Sequence, residues 1–224
     1  GLGSVLKRHG YKTAFFHGGN NGTMNFYSTS KSNGFDYYYG RNEYNNDKDY
    51  DGSWGIYDIP FLQYTAEKLN EYEEPFAATI FTLSSHVPYS LPNDYIVPEY
   101  LSNNTAFEKT VRFADDALAL FFKKISQEKW FDNTIFVIVS DHGNSEHHFN
   151  IYKNIKGRYK IPIAFYAPNI IEKERVEEMA QQADINVSIL SLLNIDEKVF
   201  SFGRNLFDSL QKPSYISFLN NMYQ

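Results

Sequence analysis

Residues 135–143 read Ile-Phe-Val-Ile-Val-Ser-Asp-His-Gly, and this stretch decides the fold class of the chain. Its continuous apolar run is typical of a buried strand in an α/β sheet. The strand ends in Asp141 and His142, and Gly143 then allows the backbone to turn sharply. A carboxylate beside an imidazole suits zinc or manganese. Taken alone, the pair is more simply explained as a turn-capping aspartate and an exposed histidine.

Two other apolar runs also lead directly into histidines. Residues 76–83 are followed by Ser-Ser-His86, and residues 13–16 are followed by His17 and two glycines. The chain has only six histidines, so three strand ends that each carry one are difficult to obtain by chance. Because functional groups in an open parallel sheet gather at the carboxyl ends of the strands, these residues predict one shared polar site.

Segments with helical periodicity separate the predicted strands. Strands that alternate with helices of this length favour parallel βαβ units, so we predict an α/β fold with a mostly parallel sheet flanked by helices. No repeat or low-complexity linker divides the chain, and we predict that residues 1–224 form a single domain. The predicted helices are 59–72, 107–125, 173–182 and 185–193, and a further strand is predicted at 161–166; residues 42–54 are predicted to be a long surface loop.

Composition excludes several classes of protein. The net charge is −6 and no long Lys or Arg run is present, so nucleic acid is not an expected partner. Cysteine is absent, which excludes disulfides and thiolate zinc sites. No apolar stretch reaches the roughly 20 residues needed to span a bilayer. A helix-like segment ends at Gly10 and leads straight into a strand, so we expect the N-terminal part of the domain to be missing.

Several segments, in order, resemble the second half of the catalytic domain of the lipoteichoic acid synthase branch of the sulfatase and alkaline phosphatase superfamily. The most specific match is the stretch from Trp130 to Gly143, which resembles the metal segment of that superfamily. The resemblance covers nearly the whole chain and implies an alkaline-phosphatase-like (sulfatase-like) fold. The other matching segments are Tyr11–Gly18, Trp54–Phe61, Phe81–Tyr89, Lys160–Pro168 and Asp184–Ile195.

The resemblance implies a set of site residues and a metal. A threonine bound to a divalent metal (Mn, Mg or Zn) would attack a phosphodiester. Asp141 and His142 would be metal ligands, while His86 and His17 would be catalytic residues that bind the phosphate or pass a proton. His147 and His148 are either a solvated pair or a further contribution to the site, and His148 is the candidate for substrate binding.

The chain also departs from the family pattern. In the family, the threonine nucleophile and one acidic metal ligand precede the part of the domain that begins at Gly1 in this sequence. We therefore expect half a metal site and no activity from these 224 residues alone. Met24 and Phe26 stand where Gram-positive synthases carry a tryptophan and an arginine. The loss of that guanidinium removes a bidentate phosphate contact.

The function implied by the resemblance is a metal-dependent phosphoglycerol or other phospho-headgroup transferase, or a phosphodiesterase. Its substrate would be a phospholipid or a glycan of the cell envelope. The resemblance also implies an extracytoplasmic location, in the periplasm or at the cell surface, with a membrane anchor in the missing N-terminal part. Two alternatives are a sulfatase, whose Cys/Ser-x-Pro-x-Arg signature is likewise absent here, and a non-catalytic binding module.

Overall fold

The computed structural model describes residues 1–144 and 149–212, with the backbone alone at 155–156, 218–219 and 222–223. These residues form two compact units, Gly1–Phe131 and Asp132–Gln224. The helices are α1 Leu2–Arg8, α2 Phe26–Ser32, α3 Arg41–Tyr44, α4 Asp58–Leu69, α5 Ala106–Ile125, α6 Ile155–Arg158 and α7 Gln182–Leu192. The strands are β1 Lys12–His17, β2 Tyr37–Tyr39, β3 Phe76–Phe81, β4 Phe136–Val139, β5 Ile163–Tyr166, β6 Phe218–Leu219 and β7 Met222–Tyr223.

A three-stranded parallel sheet organises the first unit. Its strand order is β2-β1-β3, and both outer strands run parallel to β1. The central strand is the most buried because it has a neighbour on each side, and Phe16 is completely inaccessible. His17, the last residue of β1, is in register with Phe81, the last residue of β3. The carboxyl ends of β1 and β3 therefore meet at one edge of the sheet, as the sequence predicted.

Helices α4 and α5 pack against each other and supply much of the core of the first unit. α5 begins with a reciprocal capping box, in which Thr105 Oγ1 accepts from the backbone N–H of Glu108 and Glu108 Oε2 accepts from that of Thr105. Its buried residues recur every three or four positions, the spacing of one helix face. The fully buried apolar side chains of the two helices include Phe61, Leu62, Ala66, Phe113, Ala117 and Ile125. The predicted helices 59–72 and 107–125 are thus confirmed.

The second unit contains β4, β5 and α7, together with the short β6–β7 pair. β4 pairs with β5 in antiparallel register, Val139 opposite Ile163, whereas the alternation of strands and helices predicted parallel pairing. These strands are also less buried than their apolar sequences suggested, since Ile138 and Val139 are each 38% exposed. α7 confirms the predicted helix at 185–193, and its capping residue Asp184 is fully buried.

One predicted helix is wrong, and the short strands β2, β6 and β7 were missed. Residues 173–181 form no helix, and α7 begins only at Gln182. Val176 and Met179 are 65% and 52% exposed, so the segment has no apolar face to bury, and a short helix is unstable in water without one. Strand β2 was missed because only three tyrosines form it. The predicted loop at 42–54 contains most of α3 and a 3₁₀ turn at Asp47–Asp49.

Among the described residues, none of the helices combines the length and the apolar character needed to cross a bilayer.

Candidate functional site

His17 lies in a buried aromatic environment at the end of β1. Its side chain is 1% exposed, and its ring lies 4.5 Å from that of Phe26 and 5.6 Å from that of Phe81, measured between centroids. Its Nδ1 atom is 3.1 Å from the hydroxyl oxygen of Tyr38. Burial lowers the pKa of His17 to about 4 and raises the pKa of Tyr38 to about 12. Both groups are therefore neutral at physiological pH.

This buried histidine should make the stability of the protein depend on pH. An unfolded chain binds a proton on His17 near pH 6.5, whereas the folded protein does so only near pH 4, so stability is lost as the pH falls through that range. The loss should be up to about 3 kcal/mol between about pH 7.5 and pH 4. Urea denaturation of the wild type and of His17→Phe, which keeps an aromatic ring, measures the effect.

The His17→Phe variant should lose less stability on acidification than the wild type. A control variant, His9→Gln, changes an exposed histidine just after α1 and should retain the wild-type dependence on pH. Equal pH dependence of the wild type and His17→Phe would show that His17 does not make this contribution.

Gly19 leaves space for the ring of His17 because it has no side chain. A Cβ atom at this position would lie 2.6 Å from Cε1 of His17 and 3.0 Å from the backbone oxygen of Trp54. Neither atom belongs to a flexible side-chain end, so an added methyl group must displace the histidine or the backbone. We expect Gly19→Ala to lower the free energy of unfolding by about 1–3 kcal/mol, as overpacking does.

The matched control for this change is Gly22→Ala. Gly22 has no heavy atom within 4 Å of its ideal Cβ position, and its φ of −87° suits any residue. Thermal unfolding of both variants should show a lower melting temperature for Gly19→Ala only. Equal melting temperatures would contradict the steric argument.

His86 is an exposed histidine of the first unit, three residues after Leu83. Its Nδ1 atom lies 2.8 Å from the carbonyl oxygen of Val87. A carbonyl oxygen can only accept, so Nδ1 carries the hydrogen and, in the neutral ring, Nε2 carries the lone pair. The structure thus leaves one nitrogen of His86 available to a proton or a ligand.

A buried hydrogen-bond clamp fixes the segment that leads to His86. Asp58, at the start of α4, accepts from the backbone N–H groups of Leu83 and Ser84, and its own N–H donates to Ser84 Oγ. The Asp58 side chain is 1% exposed. Burial raises its pKa, while the hydrogen bonds from Leu83 and Ser84 oppose that rise.

A short backbone bridge brings the surroundings of the two histidines together. Gly19 pairs with Gly55 in an antiparallel bridge, and the N–H of Ile56 donates to the carbonyl of Gly18. Trp54 therefore lies beside the residues that follow His17, and its ring contacts that of His86. The prediction that both histidines serve one site stays a prediction, but their supporting segments are in direct contact.

Arg41 is a basic residue near the end of β1 whose side chain is paired with Asp47. It lines a polar cleft of about 380 Å³ next to the end of β1, together with Asn20 and Asp47. Its Nε donates to Asp47, its Nη1 donates to Asn20, and its guanidinium lies 3.6 Å from the centroid of the Tyr50 ring. The charge of Arg41 is thus compensated by Asp47.

In the second unit, Asp141 and His142 form an exposed donor pair after β4. Nδ1 of His142 donates to the carbonyl oxygen of Gly143 at 2.9 Å, so Nε2 carries the lone pair of the neutral ring. That atom lies 3.5 Å from Oδ2 of Asp141. Two ligands of one tetrahedral ion, each about 2.1 Å from the metal, lie about 3.4 Å apart. The pair therefore fits two neighbouring positions of one metal ion.

Two further residues support this donor pair. Gln182, at the start of α7, donates from its side-chain nitrogen to the carbonyl oxygens of Ser140 and Asp141, both at 2.8 Å. Gly143 is required because a Cβ atom there would lie 2.4 Å from the carbonyl oxygen of Arg158. Close approach, rather than a positive φ, thus explains this glycine.

The described residues provide only part of a zinc site around Asp141 and His142. Within residues 1–144 and 149–212, no group of three or more His, Cys, Asp or Glu side chains could hold a metal ion. A tetrahedral zinc ion needs four ligands, of which Asp141 and His142 would provide two.

Sequence reasoning found part of this arrangement. His147 and His148, predicted as possible contributors, lie outside the described residues. Trp54 and Gln182 were missed as supporting residues because each contacts residues that are distant in the sequence. Trp54 bonds to a residue 33 positions away, and Gln182 bonds to residues 41 and 42 positions away. No local pattern in the sequence signals such contacts.

The fold is that of the alkaline phosphatase superfamily. The chain belongs to the sulfatase family, whose sequence profile matches residues 1–195. It is 27% identical over 241 residues to the lipoteichoic acid synthase-like protein YvgJ of Bacillus subtilis, covering 97% of this chain and 39% of that protein. The chain thus spans about two-fifths of that relative's length.

Two solved structures are similar. A protein of the alkaline phosphatase superfamily from Vibrio parahaemolyticus gives a TM-score of 0.81 at 29% identity, over 94% of this chain and 51% of that one. The lipoteichoic acid synthase LtaP of Listeria monocytogenes gives 0.75 at 22% identity, over 91% and 55%. These matches confirm the predicted fold class and the resemblance to the lipoteichoic acid synthases.

Proposed function

We propose that the protein is a metal-dependent phospho-headgroup transferase or phosphodiesterase, with a phosphoglycerol ester as the first substrate to test. The observation that carries the proposal is the 3.5 Å separation of Asp141 Oδ2 and His142 Nε2, with the hydrogen of the imidazole held on the other nitrogen. Carboxylate and neutral imidazole are ligands for divalent Mn, Mg or Zn. When bound, such an ion would lower the pKa of an attacking hydroxyl and neutralise charge on the phosphoryl oxygens.

The residues of this chain have distinct proposed roles in that reaction. Asp141 and His142 hold the ion, and Gln182 keeps the end of β4 against α7 so that the donor pair stays in place. His86 takes up a proton at Nε2 and passes it to the leaving alkoxide, since its Nδ1 is held by Val87. His148 is proposed to contact the substrate.

His17 is proposed to bind the phosphate as a neutral hydrogen-bond donor. Because burial keeps the Tyr38 hydroxyl protonated, that hydroxyl can donate to Nδ1 of His17. The ring then carries its hydrogen on Nε2, which can donate to a phosphoryl oxygen. A histidine with a pKa of about 4 has the neutral form that this role requires.

The relatives support a proposal for the substrate and the location. YvgJ is named as lipoteichoic acid synthase-like, and LtaP as a lipoteichoic acid synthase. We therefore propose a phospholipid or a cell-envelope glycan as substrate, and an extracytoplasmic site of action for a complete protein anchored in the membrane. Nucleic acid is not a proposed partner, because the net charge is −6.

A sulfuric ester hydrolase is the second candidate, favoured by the match of the sulfatase profile to residues 1–195. The two candidates separate in one experiment on the complete protein, in which metal content is measured beside turnover of a glycerophospho-diester and of an aryl sulfate. Stoichiometric metal with turnover of the diester supports the first function. Turnover of the aryl sulfate alone supports the second, and a complete protein that binds no divalent metal contradicts both.

A further inference from the structure

Trp54 contacts His86 in two ways. The indole and imidazole rings lie 4.1 Å apart between centroids, with their planes inclined by 51°. In addition, the indole N–H donates to the carbonyl oxygen of Val87 at 2.7 Å. Trp54 is half-buried and lies 33 positions along the chain from that carbonyl, so this contact is a product of the fold.

The carbonyl oxygen of Val87 accepts a hydrogen bond from each of these two side chains. Nδ1–H of His86 donates to the same oxygen at 2.8 Å, and a carbonyl oxygen has two lone pairs to accept two donors. The indole N–H of Trp54 thereby fixes the carbonyl that fixes the imidazole. The remaining nitrogen of His86, Nε2, is left with the lone pair.

Trp54 is itself held by its own segment. Asp51 Oδ1 accepts from the backbone N–H groups of Ser53, Trp54 and Gly55, at 2.8, 2.8 and 3.1 Å. The pairing of Gly55 with Gly19 ties the same segment to the end of β1. The support for His86 therefore comes from the sheet edge and does not depend on the histidine's own loop alone.

We propose that Trp54 is a positioning residue that sets the tautomer and ring orientation of His86, holding the hydrogen on Nδ1 and directing Nε2 outward. The consequence for activity rests on the proposed function, because it requires His86 to carry the proton to the leaving group. The tautomer itself does not depend on that function, and it can be measured in this chain without substrate or metal.

The test is the ¹⁵N chemical shifts of the His86 ring at about pH 8, well above the ordinary histidine pKa. The wild type should show a protonated Nδ1 and an unprotonated Nε2. Trp54→Phe keeps an aromatic ring and removes the N–H, so it should give a mixture of the two tautomers, and Trp54→Leu should shift the mixture further.

Trp130→Phe is the matched control, since it removes the only other indole N–H of the chain, which donates to Asn70. It should leave the His86 shifts unchanged. Wild-type tautomer ratios in folded Trp54→Phe and Trp54→Leu overturn the proposal, and so does an equal change in Trp130→Phe.

Activity of the complete protein separates this inference from the proposed function. Trp54→Phe should lower kcat about 10- to 100-fold, which is part of the roughly 100- to 10,000-fold contribution of general acid–base catalysis, and should change KM less than about 2-fold. A shifted tautomer with unchanged kcat would support the positioning role and overturn the catalytic role of His86.

Discussion

Asp141→Ala is expected to reduce turnover by the complete protein about 1,000-fold or more, equivalent to about 4 kcal/mol of transition-state stabilisation. The variant loses one of the two proposed metal-binding atoms, which lie 3.5 Å apart. His142 would then be the only one of the two ligands left to hold the metal ion. Metal content, measured by elemental analysis after dialysis, should fall together with activity. His142→Ala should give the same result, because its Nε2 is the other donor.

The control for this prediction is Asp132→Ala. Asp132 is an exposed aspartate before the same strand, and its backbone carbonyl, which accepts from Asn169, is unaffected by the change. This variant should keep wild-type metal content and turnover. Full metal occupancy in Asp141→Ala would contradict its assignment as a ligand, while loss of turnover with full occupancy would assign it a different role.

Asp58→Ala is expected to lower the free energy of unfolding by about 3 kcal/mol. The change removes the acceptor of the backbone N–H groups of Leu83 and Ser84, and each buried donor left without a partner costs about 1–3 kcal/mol. Asp58→Asn should cost less, because its side-chain oxygen can still accept from Leu83. Urea denaturation measures both variants.

Asp94→Ala serves as the matched control, since Asp94 is exposed and lies in the loop before α5. Its unfolding free energy should stay within about 0.5 kcal/mol of the wild type, as is usual for surface changes. A similar loss in Asp94→Ala and Asp58→Ala would show that the buried hydrogen bonds of Asp58 do not carry the effect.

The sequence predicted the elements whose signals are local. The apolar residues of α5 recur every three or four positions, and those of β1 form a short continuous run, so both were found from periodicity. The segment around Val176 failed because helix-forming residues without an apolar face do not make a helix. The antiparallel pairing of β4 with β5 was missed because strand direction depends on the path of the chain, which periodicity does not record.

The candidate site could be predicted only as a set of residue types at strand ends. Asp141 and His142 follow β4, and His17 and His86 lie at or after the ends of β1 and β3, as predicted. The burial and the hydrogen-bond partners of each histidine were not predictable from the sequence. His17 is buried and neutral, and its Nδ1 atom contacts the hydroxyl of Tyr38, 21 positions away. His86 is exposed, and its Nδ1 atom donates to the carbonyl of Val87, which also accepts from the distant Trp54.

The hydrogen bonds between Asp58 and Ser84 also constrain motion. They join the first residue of α4 to the segment after β3 in both directions. Movement of Ser84 away from α4 must therefore break hydrogen bonds at the beginning of a helix whose side chains form the core. Such a movement is a local unfolding event, and its frequency depends on the stability of the first unit.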